Sequence, residues 1–152
     1  MIHLQGHTAL VTGSTKGVGR SIAEAFAAAG ANLVLHGRST GAEADSAIQA
    51  CRAQGARVEF ITGDLSADTP IVVKEVFTKA TSALPNIDIL VNNAGNYNDL
   101  PFLEMDYARL ERTFRLNVFS VFFLTQCFAR QWVRDQTAGR VLMIGSINGR
   151  LA

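Results

Sequence analysis

Apolar residues gather in five short runs along this chain, at residues 8–12, 32–36, 58–62, 87–91 and 140–144. Each is too short and too apolar for a half-exposed helix, so each predicts a buried strand. The segments between them change period. Val18, Ile22, Ala25, Phe26 and Ala29 recur at helical spacing before a stop at Gly30. A helix of small residues follows over 42–54, with Gly55 as its stop. Thr69 reads as an N-cap with Pro70 at the first helical position, opening a helix to about residue 84. The longest helical pattern runs from 106 to 134. Strict alternation of this kind predicts a doubly wound parallel α/β sheet with both faces covered. Its expected strand order is 3-2-1-4-5, with a ligand crevice at the carboxyl ends near strands 1 and 4. No repeat, linker or low-complexity stretch interrupts it, which predicts one domain over 1–152.

Within the long helix Phe114, Val118, Val121, Thr125, Phe128 and Trp132 form one stripe, while Phe119, Phe122 and Phe123 fall outside it. A helix that is apolar nearly all round is expected to be covered on two sides.

Composition narrows the class. The 152 residues are 48% hydrophobic and 18% charged, with a formal net charge of +1. That balance belongs to a globular domain, and it argues against nucleic acid or an acidic membrane surface as partner. The most apolar stretch, 118–133, is broken by Gln126, Arg130 and Gln131 and is too short to span a bilayer. The first strand starts almost at once, which predicts no signal peptide. Cys51 and Cys127 lie in helical patterns without ligand spacing, and read as reduced thiols. No metal is expected. The expectation is a soluble, cytoplasmic chain.

The chemistry begins at Thr12-Gly13-Ser14-Thr15-Lys16-Gly17-Val18-Gly19. A glycine-rich turn between a strand and a helix brings backbone N–H groups to an anion at the positive helix end. The spacing Gly-x3-Gly-x-Gly differs from the commoner dinucleotide fingerprint, and the terminal Lys-Ser/Thr of a P-loop is missing. Gly13 and Gly17 suit the turn and Gly19 suits close packing of the helix.

At the end of strand 2, His36-Gly37-Arg38-Ser39 stands where an acid would bind the ribose 2′-OH of NAD. Arg38 cannot accept from that hydroxyl, but it can neutralise a 2′-phosphate, with Lys16 on the same side. The pair therefore favours NADP(H) over NAD(H), the alternative being two solvated surface cations. His36 reads as a packing residue. After strand 3, Asp64-Leu65 either meets an adenine amino group or forms a turn. After strand 4, Asn92-Asn93-Ala94-Gly95 offers buried amides and small residues that scaffold and line a ligand site.

Taken in this order, with Asn117 in Leu116-Asn117-Val118 and Ser146 after Arg140-Val141-Leu142-Met143-Ile144-Gly145, these motifs resemble the short-chain dehydrogenase/reductase family. The likeness is to its compact type, which includes 3-oxoacyl-carrier-protein reductases, and it covers essentially the whole chain. It implies a Rossmann-type fold and hydride transfer between NADP(H) and a small carbonyl or alcohol substrate. It also implies that Ser146 holds the substrate oxygen and that the main-chain carbonyl of Asn117 holds a relay water. Pairing into a homodimer or homotetramer through the 106–134 helix is a further implication.

One part of the pattern is missing. The family's tyrosine, with a lysine four residues on, finds no match, because Tyr97 is followed at that spacing by Pro101 and Tyr107 by Glu111. The chain thus reads as the cofactor-binding front of a reductase, lacking the carboxyl-terminal strands. Two alternatives stand beside it: a dinucleotide-binding module without chemistry, and another nucleotide-using α/β enzyme such as a sugar-nucleotide epimerase or a methyltransferase. Residues 97–102 are expected to wall the substrate pocket, without revealing which substrate enters it.

Overall fold

The computed structural model describes residues 3–97 and 99–146. Its five parallel strands are β1 (Thr8–Val11), β2 (Asn32–Gly37), β3 (Val58–Thr62), β4 (Ile89–Asn92) and β5 (Arg140–Met143), in the order β3-β2-β1-β4-β5. The alternation of runs predicted this order, and every strand matches its run to within two residues. The registers Leu10↔Val34 and Leu10↔Leu90 stack like side chains across the sheet centre.

The pleat divides the core in two. Leu10, Val34 and Leu90 point to one face, against Val72, Val73 and Val76 of α3 (Thr69–Ala83) and Leu124, Phe128 and Trp132 of α5 (Ser120–Arg134). Ala9, Val11, Leu33, Leu35, Ile89 and Val91 point to the other. There they meet Ala23 and Ala27 of α1 (Gly17–Ala28) and Ala47 and Cys51 of α2 (Ala42–Arg52). Small residues on α1 and α2 let those helices sit close to the sheet, and large ones on α3 and α5 fill the wider side.

Two expectations change. The cap of α3 is Asp68, with Thr69 already in the first turn. Proline tolerates either of the first helical positions, so the helix begins one residue early. The long helix is not one continuous α-helix either. It comprises α4 (Tyr107–Phe114), a π-turn over Arg115–Phe119, and α5. A π-turn inserts a residue and rotates everything after it. The expected stripe therefore breaks. Phe128 and Trp132 are buried as expected, in line with Ser120 and Leu124, whereas Phe114 and Val118 are about half exposed.

All of β5 is exposed at the sheet edge. Among the described residues, no helix is long and apolar enough to cross a membrane. Asn98, within the expected substrate wall, lies outside the described residues.

Candidate functional site

The carboxyl ends of β1 to β4 converge on a cleft of about 690 Å³, a volume typical of small-molecule sites. Its floor is one hydrogen-bonded unit. The Thr12 hydroxyl accepts the backbone N–H groups of Asn93 and Ala94, both at 3.0 Å, and donates to the Val91 carbonyl. The Asn93 amide donates back to the carbonyls of Thr12 and Gly13, at 2.9 and 3.0 Å. Glycine is required where this unit is tightest. Gly13 has φ +63°, and a Cβ there would stand 2.9 Å from the Ala94 Cα. A Cβ on Gly19 would run into the Asn93 amide and the Gly13 carbonyl. Asn92 is buried below, its amide donating to the Thr125 hydroxyl at 3.0 Å and fixing β4 to α5.

A second clasp joins β2 to the glycine loop. Ser14 donates its N–H to the His36 carbonyl, and the His36 N–H donates to the Ser14 hydroxyl, both at 2.9 Å. The His36 ring reaches Gly13 N–H through Nδ1 at 3.3 Å and the Gly63 carbonyl through Nε2 at 3.0 Å. These partners define a neutral ring with its proton on Nε2. Burial pushes its pKa down to about 4, consistent with a neutral ring.

Charge is concentrated on the wall. Thr15 and Lys16 of the glycine loop and Arg38 and Ser39 after β2 line the same cleft. Lys16 Nζ lies 3.6 Å from a Glu43 carboxylate oxygen on α2. Asp64 and Leu65 form the wall beyond β3. Asp64 also closes a turn, Oδ1 accepting the Ser66 hydroxyl at 2.6 Å and its N–H at 3.0 Å. The Ser66 hydroxyl, above all, holds this carboxyl below the usual range against an opposing effect of burial, with the Arg112 and Arg38 guanidiniums assisting. Turn former and wall residue are thus the same side chain.

The cleft brings together Gly13, Thr15, Lys16, Arg38 and Ser39 with Asp64, Leu65, Ala94 and Gly95. The other expected positions stand outside its lining. Gly17, Val18 and Gly19 belong to the first turn of α1, and Ser14 and Asn92 are buried behind the surface. Asn117 sits in the π-turn. Its amide donates to the Asn96 carbonyl at 2.8 Å and its Oδ1 accepts the Asn96 N–H at 3.1 Å, so it holds a residue of the cleft wall. Ser146 is exposed three positions past β5 and is not part of the lining of the cleft.

Three contributors escaped the sequence reading: the His36 clasp, Glu43 and Arg112. Arg112 could have been found from helical spacing, since it lies four residues before Leu116 and both line the cleft. Among the described residues, no group of His, Cys, Asp and Glu could hold a metal ion.

Known proteins resemble this chain in sequence and fold. The sequence profile of the family described as short chain dehydrogenase matches residues 7–152. An L-rhamnose 1-dehydrogenase (NAD(P)(+)) of Sphingomonas sp. (strain SKA58) is 32% identical over 95% of this chain and 56% of its own length. A 3-oxoacyl-[acyl-carrier-protein] reductase of Aquifex aeolicus (strain VF5) is 34% identical over 97% and 58%. The chain therefore spans somewhat more than half the length of these curated relatives. Among solved structures, a 3-oxoacyl (acyl-carrier-protein) reductase from Agrobacterium tumefaciens C58 with NADP bound superposes with a TM-score of 0.87 at 34% identity, covering 96% of this chain and 55% of that one. A short-chain type dehydrogenase/reductase from Mycobacterium marinum gives 0.89 at 29%, covering 97% and 59%.

Proposed function

Because the chain belongs to the short-chain dehydrogenase family, we propose that it forms the nicotinamide-nucleotide cleft of a cytoplasmic oxidoreductase that prefers NADP(H) and acts on a small carbonyl or alcohol. The carrying observation is the wall after β2, where Arg38 and Ser39 line the cleft together with Lys16 and no carboxylate ends the strand. The tight floor supports this reading, since a Cβ on Gly13 would stand 2.9 Å from the Ala94 Cα and disturb the loop beside it. A nicotinamide nucleotide bound there supplies or accepts a hydride.

The residues have distinct tasks in this reading. Arg38 and Lys16 hold a 2′-phosphate by charge-assisted hydrogen bonds. Ser14 and Gly17 to Gly19 shape the loop and helix end that receive the pyrophosphate. The Asp64 carboxylate, kept ionised by Ser66, accepts from an adenine amino group. Ala94 and Gly95 leave room beside the ribose, and Asn92 anchors β4 behind them through Thr125. Ser146 orients the substrate oxygen, and the Asn117 main-chain carbonyl holds a water. A π-turn suits that last task, because it interrupts the regular carbonyl ladder. Neither tyrosine of this chain has a lysine four residues on, so proton delivery is assigned to another residue of the whole protein.

The exposed aromatic face of the long helix fits a second copy of the protein. Phe119, Phe122 and Phe123 are 43%, 59% and 42% exposed, which is a large apolar patch for a monomer. Assembly as a homodimer or homotetramer through this helix covers it.

The test is NADPH oxidation by the whole protein with a panel of ketones. Turnover that falls at least about a hundredfold in Ser146→Ala, as for loss of a group holding a developing oxyanion, supports the reading. Absence of hydride transfer with every carbonyl, or full activity in Ser146→Ala, counts against it.

A further inference from the structure

The glycine loop and the start of α2 are joined by one ion pair across the mouth of the cleft. Lys16 Nζ and the Glu43 carboxylate lie 3.6 Å apart, their side chains 76% and 62% exposed. Lys16 is the N-cap of α1, and Glu43 is the second residue of α2. Arg38 to Gly41 connect β2 to that helix, and these residues line the same cleft. Glu43 is also in the first turn of α2, where the positive end of the helix favours an anion.

A phosphate placed before Arg38 would therefore meet a lysine already engaged by a carboxylate. Drawing Lys16 onto the phosphate breaks the ion pair and leaves Glu43 beside a second anion. The uncompensated acid opposes the ligand that the two cations attract.

We infer that Glu43 is a specificity-determining residue that limits the preference for a 2′-phosphorylated nucleotide by engaging Lys16 and repelling the phosphate. The inference rests on the proposed role of Arg38 and Lys16. Exposed pairs are weak, so the effect is modest, about two- to fivefold in affinity. It is also screened, because the Debye length shrinks from about 10 Å at 0.1 M salt to about 3 Å at 1 M.

Adenosine 2′,5′-bisphosphate and adenosine 5′-monophosphate isolate the 2′-phosphate without any turnover. Their dissociation constants are measured by calorimetry on the whole protein and on Glu43→Gln, Lys16→Gln and the double variant. The expected result is a two- to fivefold tighter bisphosphate in Glu43→Gln, with the monophosphate unchanged. High salt removes the difference, and the Lys16→Gln background diminishes it. A preference for bisphosphate that Glu43→Gln leaves unaltered overturns this inference alone. The same holds for an equal gain with both probes. No preference in either protein overturns it together with the proposed cofactor choice. A preference appearing only in Glu43→Gln supports it.

Discussion

Gly13 donates its backbone N–H to Nδ1 of His36 across 23 positions of sequence, at 3.3 Å. The bond makes the glycine loop depend on the protonation state of one imidazole. Nδ1 can accept only while the ring is neutral, and the other nitrogen is occupied by the Gly63 carbonyl. Protonation would turn Nδ1 into a donor facing another donor. The groups nearest in charge are Lys79, which opposes protonation, and Asp64, which favours it.

Stability should therefore depend on pH through His36. Its folded pKa is about 4 against 6.5 for the free side chain, so the unfolded chain binds the extra proton between these values. The contribution is fully present above pH 6.5 and is lost as pH falls toward 4, amounting to about 3 kcal/mol in total. Chemical denaturation at a series of pH values should show this slope in the unmodified protein and a flatter one in His36→Asn, which keeps an acceptor near Gly13 but does not titrate. Equal slopes would remove His36 from the account.

Gly19→Ala should destabilise the fold by about 1–3 kcal/mol, the usual cost of overpacking. The added methyl would press on the Asn93 amide and the Gly13 carbonyl, both part of the rigid floor. Gly17→Ala offers a comparison, since a Cβ there meets nothing within 4 Å and only its φ of +57° is unfavourable. Thermal unfolding should rank Gly19→Ala as the more damaging change.

The aromatic face makes its own prediction. Phe122→Glu with Phe123→Glu should convert a homo-oligomer of the whole protein to smaller species at micromolar concentration, because buried aromatic anchors dominate interface energy. Both rings are about half exposed and stack edge to face at 5.2 Å, so their loss leaves the core intact. Sedimentation velocity reads the result. An unmodified protein that is already monomeric contradicts the assignment of this face.

Local pattern foretold the layout of the sheet. Five apolar runs, their turn glycines and the helices between them sufficed for the order β3-β2-β1-β4-β5, because each signal lies within about ten neighbouring residues. Gly13, Lys16, Arg38, Asp64, Ala94 and Gly95 were legible as residues of one cleft for the same reason. What the sequence hid was pairing at a distance. Asn93 bonds Thr12 across 81 positions, and Lys16 meets Glu43 only once the first two β–α units stand side by side. The π-turn was hidden differently. Residues 114–123 keep helical spacing throughout, and the inserted residue shows only in which side chains the fold buries.

The central claim is that this cleft selects a 2′-phosphate through Arg38. The most direct measurement is the pair of dissociation constants for NADPH and NADH, read by fluorescence on the whole protein and on Arg38→Ala. Hydrogen bonds to charged groups contribute about 1.5–3 kcal/mol each, so NADPH should bind about tenfold or more tightly than NADH. Arg38→Ala should abolish most of that ratio while leaving NADH binding nearly unchanged. Equal affinities in the unmodified protein, or a ratio untouched by Arg38→Ala, would contradict the account.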